Sequence, residues 1–108
     1  MSDGNLLFLS IAEIFGDFSF KNYARLGGVE NFAQGLVGYV GVIYFLIRSL
    51  REGNVMYVNG MWDGISGILE TLAAYFILGE RFVNPMQWVA VVIISVGLFM
   101  LRYYGVPY

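Results

Sequence analysis

The sequence predicts an all-α membrane protein, a bundle of four transmembrane helices, and three observations carry that prediction. Of 108 residues, 58% are hydrophobic and only 13% charged, with a mean hydropathy of +0.68; a soluble domain carries about 25% charge. The apolar residues fall into four runs, each near the ~20 residues that cross a bilayer. Between the runs lie short polar connections punctuated by Gly27 and Gly28, by Gly53 and Asn54, and by Gly79 and Pro85.

The same composition excludes several kinds of function. There is no Cys, hence no disulfide, thiolate chemistry or Cys-based metal site, and no His, the usual neutral-pH proton shuttle. Proton handling near neutral pH must then fall to carboxylates. A net charge of −2 and scattered basic residues argue against nucleic acid as a partner. No nucleophile–base pair or metal-ligand constellation is present, so neither an enzyme nor a cofactor is expected. Residues 1–5 lack the basic start of a signal peptide, and the first apolar run is expected to stay in the mature protein.

The first helix is expected over about 6–24. Glu13 sits inside its apolar run. An ionisable group at membrane depth costs roughly 2–4 kcal/mol, and its default reading is functional. Asp17 and Lys21 follow at four-residue spacing, so all three share one helical face, Glu13 deep and Lys21 near the membrane surface. Asp17 and Lys21 are expected to form an ion pair one turn apart. Two readings of Glu13 stand: a proton or cation site, or a carboxylate neutralised by Lys21 or by a proton and kept as scaffold.

The second helix, about 31–50, is uncharged until Arg48, and Gly35, Gly38 and Gly41 give it a smooth face for close helix packing. Tyr39 and Tyr44 are either interfacial or pore-lining residues or, the favoured reading, lipid or packing contacts. The third, about 55–78, carries a second small-residue face in Gly60, Gly64 and Gly67, with Asn59 and Trp62 beside it. Asp63 and Glu70 are seven residues apart, hence on roughly one side, and should face protein or water. They either widen a cation path or hydrogen-bond Asn59, Ser66 and Thr71 within an assembly. Gly79 suits a helix end and Pro85 the first turn of the next helix, with Glu80 and Arg81 reading as a solvated loop pair. The fourth helix, about 85–104, is apolar between Trp88 and the pair Tyr103, Tyr104, an aromatic-belt pattern. Ala90 and Gly97 mark its packing face.

Four spans joined by tight loops predict a compact up-down bundle, a multi-pass integral membrane protein whose constant neighbour is the lipid bilayer. One end holds Lys21, Arg25 and Arg81 and the other Arg48, Arg51 and Arg102. That balance gives no positive-inside bias. A small membrane protein so balanced is a natural candidate for a dimer of oppositely inserted copies.

These residues resemble the small multidrug resistance transporters, the minimal members of the drug/metabolite transporter superfamily. Ala12-Glu13-Ile14-x-Gly16 followed by Lys21 looks like their first helix, and Trp62 with Gly64 and Gly67 like their third. Leu78-Gly79-Glu80-Arg81-Phe82, then Pro85, Gln87, Trp88 and Gly97, looks like their third loop and fourth helix. The resemblance covers nearly the whole length. It implies a four-helix subunit working as an antiparallel homodimer, with Glu13 of each copy forming the site where protons and an organic cation compete. It also implies that Trp62 lines that site as a cation–π partner for quaternary ammonium or guanidinium groups. The chain departs from the family pattern at Asn59, where the family has a Tyr near the substrate. It departs again at Asn54, where a Pro is replaced, and in carrying the additional acids Asp17, Asp63 and Glu70. One extra residue stands between Arg81 and Pro85.

Two function classes follow. The first is a proton-coupled exporter of small organic cations, with Glu13, Asn59, Trp62, Asp63 and Glu70 as candidate substrate and proton residues. The second is a structural membrane protein on the same fold, partnered by other membrane or assembly proteins, for example in the inner layer of a virus capsid. The lost Tyr and the added acids point to the second, and the intact Glu13 segment to the first.

Overall fold

The computed structural model describes residues 3–104. Helix α1 spans Asp3–Leu26, α2 Val29–Glu52, α3 Val55–Ala73 and α4 Met86–Tyr104, with a π-helical turn at Ala74–Leu78 continuing α3. The first two helices begin earlier and end later than their apolar runs, because the polar residues at their ends carry the helix into the membrane interface. Helices α2, α3 with its π turn, and α4 are long and apolar enough to cross a membrane. In α1 the charges of Glu13, Asp17 and Lys21 interrupt the apolar stretch. The chain is an all-α, multi-pass integral membrane protein.

The joints follow from local chemistry. Gly27 and Gly28 have φ of 72° and 96°, a left-handed pair that reverses the chain within two residues. Asn54 caps α3 by accepting a hydrogen bond from the Tyr57 amide at 2.7 Å. Asn84 caps α4: its side chain accepts from the Met86 amide at 2.9 Å, while Gln87 Oε1 accepts from the Asn84 amide at 3.0 Å.

The helices form the expected all-α membrane bundle, flattened into a slab with extents of 43 × 35 × 16 Å. Its short axis is little more than one helix thick, ~10–12 Å. The order across it is α2, α1, α3, α4: α1 packs extensively on α2 and also on α3, and α4 packs on α3 alone among the described helices. The reason is the distribution of small residues. Gly38 abuts Gly16 and the Ala12 carbonyl so closely that a Cβ there would lie 2.6 Å from the Gly16 amide nitrogen. Gly35 receives the Phe20 ring and Gly41 faces Ala12, while Gly60 and Gly64 receive Leu101 and Leu98 of α4. Gly67 and Gly97 meet nothing within 4 Å of where a Cβ would stand.

The buried core is small and sits toward one end of the slab: Leu6 and Leu9 of α1, Val42 of α2, and Tyr57, Val58 and Met61 of α3. The other end is more open, and Asp17 and Lys21 of α1 line a cleft there, while the polar Asn5 and Ser10 of α1 are buried beside the core.

Candidate cation site

The α1–α2 crossing at Gly16 and Gly38 sets the site. It brings Tyr39 over the next turn of α1, where its hydroxyl donates a hydrogen bond to Asp17 Oδ1. On the other side α3 supplies Ser66, a buried hydroxyl one turn before Glu70, and Glu70 itself, which faces the α1 acids. Glu13, Asp17 and Glu70 are all half-buried, and each offers an oxygen within 4.8 Å of the other two.

The charge balance of this cluster is unusual. Three ionised carboxylates at ~5 Å would repel by about 3 kcal/mol per pair at an effective dielectric near 20. The arrangement therefore calls for a counter-charge, either a proton or a cation. The oxygen-only donor set suits a hard metal cation or an ammonium group, and among the described residues these three acids are grouped closely enough to hold a metal ion.

The structure sorts the sequence candidates. Glu13 and Glu70 meet, and Asp17 joins them. Asp63 is exposed and lines a shallow groove with Gly60, Gly64 and Gly97. Asn59 is also exposed. Trp62 is half-buried and packs against the apolar core, with its indole Nε1 buried and lacking an acceptor among the described residues.

The expected Asp17–Lys21 ion pair does not form. Asp17 accepts the Tyr39 hydroxyl, and the Lys21 ammonium instead lies 3.7 Å from Glu80 Oε2 in the α3–α4 connection. Glu80 and Arg81 are joined through the backbone and not by their charges: Arg81 donates to the carbonyl oxygens of Glu80 and Tyr75 at 2.8 and 2.9 Å and stacks over the Tyr75 ring, 3.8 Å from its centroid. Tyr39, which the sequence offered as a pore-lining residue but favoured as a packing or lipid contact, reaches the site through Asp17. The usable signal was its four-residue spacing from Gly35, which puts it on the packing face of α2.

Comparison with known proteins adds a partial likeness. No family model matches the chain, and no solved structure matches it. The chain is similar to the spermidine export protein MdtI of Salmonella arizonae, 33% identical over 57 residues, which are 53% of this chain and 51% of that protein. The match thus spans about half the length of this curated relative. It supports at most a relationship to the small multidrug resistance transporters.

Proposed function

We propose that this protein exports small organic cations in exchange for protons, with Glu13, Asp17 and Glu70 as the shared site. The observation that carries the reading is the convergence of three carboxylates from two helices, within 4.8 Å of one another, in a membrane protein. Such a cluster needs a positive partner, and exchange follows when a proton and an organic cation are alternatives for that place. Tyr39 orients Asp17. The MdtI likeness supports the same class, since its name specifies export of a polyamine, and a polyamine is a chain of ammonium groups of the kind that clustered carboxylates complement. In this reading the slab pairs with a second, inverted copy, which covers the half-exposed acids and shields them from lipid.

The test is equilibrium binding of a lipophilic quaternary ammonium ion to the purified protein in detergent, between about pH 5 and pH 9. Affinity should rise with pH as protons leave the site, and should fall at least tenfold in Glu13→Gln. Absence of binding at every pH would overturn the export reading. It would favour the structural one, which the exposed positions of Asn59 and Asp63 support.

A further inference from the structure

A cleft of about 500 Å³ begins at Asp17 and Glu70 and runs out to the α3–α4 connection. Its size falls among ligand pockets, ~300–1,000 Å³. Lys21 lies one turn beyond Asp17, about 6 Å along α1, so the cleft leads from the carboxylate cluster toward the end of the slab. Aromatic rings line its far side, with Trp88 edge-on to both Tyr75 and Phe82 at centroid distances of 5.4 and 5.0 Å.

Two contacts close the outer end. Arg81, through its bond to the Tyr75 carbonyl and its stacking on that ring, ties the connection to the π turn, so that the two form one unit. Lys21 and Glu80 join that unit to α1 across the mouth, at 3.7 Å and with both side chains 51% exposed. The chain behind them is built to bend. The π turn interrupts the regular bonding of α3, and such turns are frequent at functional sites. It ends at Gly79 with φ 71°, and both the Gly79 and Glu80 amides converge on the Ala74 carbonyl.

We propose that the α3–α4 connection is a gate over this cleft, hinged at the π turn and latched by Lys21 on Glu80, through which an organic cation enters by replacing the Lys21 ammonium on Glu80. The proposal rests on the reading of the carboxylate cluster as a cation site, and it adds the route to that site. A half-exposed ion pair makes a suitable latch. It is weak enough to exchange with an incoming ammonium and specific enough to hold the connection down between exchanges.

The chain has no Cys, so Ala74→Cys, a position lining the cleft, supplies a sole thiol. Its reaction rate with an uncharged, water-soluble maleimide reads the gate directly in the detergent-solubilised protein. Lys21→Gln or Glu80→Gln should raise that rate about two- to fivefold, the range an exposed ion pair provides. Exchange of the two charges, Lys21→Glu with Glu80→Lys, should return it to the parent value. Equal rates in all forms would overturn the gate. So would faster rates that the exchanged pair fails to restore, since the effect would then come from side-chain loss and not from the ion pair. These rates require no bound cation, so the gate and the cation site can each fail without the other.

Discussion

A single methyl group decides how closely α1 and α2 approach, and Gly38 is where it decides. A Cβ there would meet backbone atoms of Gly16 at 2.6 and 2.7 Å and the Ala12 carbonyl at 3.0 Å. Backbone cannot step aside as a flexible side chain can. Gly38→Ala should therefore destabilise the protein by about 1–3 kcal/mol, the usual range for overpacking. Gly67, with nothing within 4 Å, is the control: Gly67→Ala should be neutral or stabilise by ~0.5–1 kcal/mol through reduced chain entropy. Thermal unfolding in detergent checks both, and equal shifts would mean that the crossing is looser than its geometry. At this scale the sequence was half legible. Glu13 stood out because an acid inside an apolar run is costly wherever the chain folds. Asp17 misled because spacing reports only neighbours on the same helix: Lys21 was in reach by count, whereas Tyr39, 22 residues away, became adjacent only when α1 crossed α2.

The helices differ in how much of their surface other helices cover. All four were legible from apolar run length and glycine punctuation, because lipid fixes both the minimum span and the demand for internally satisfied backbone. What the runs did not carry was their order across the slab. That order depends on which small-residue faces meet, and Gly67 and Gly97 looked as suited to packing as Gly35 and Gly38 do. In the slab α4 buries no residue and leans on α3 alone, so most of its surface belongs to the hydrocarbon. Ile93, 65% exposed near its middle, should accordingly not tolerate charge. Ile93→Lys should oppose insertion by roughly 2.5–3.5 kcal/mol and lower the alkali-resistant membrane fraction. Val83→Lys, in the connection and 97% exposed, should leave that fraction unchanged. Full retention of Ile93→Lys would place this face against water or protein.

The whole molecule poses a question that no helix answers alone, which is how it sits in the membrane. The Lys21–Glu80 contact places Lys21 and the α3–α4 connection at the same end of the slab, and Arg25 and Arg81 belong to that end, opposite Arg48, Arg51 and Arg102. Neither end exceeds the other in basic residues, so charge provides no free-energy difference between the two insertions. A slab this thin also leaves its carboxylates half-buried, which a second copy in the opposite orientation would relieve. Carboxyl-terminal fusions to alkaline phosphatase, active only outside the cytoplasm, and to a green fluorescent protein, active only inside, separate the orientations. The natural chain should give both signals. Glu30→Arg with Asn84→Arg, both at exposed positions, adds two basic residues to one end and should leave the fluorescent signal low and the phosphatase signal high. That follows because the enriched end is held in the cytoplasm while the carboxyl terminus leaves by the other. A natural chain that lights only one reporter would mean that its orientation is set by something other than loop charge, and inverted pairing would lose its basis.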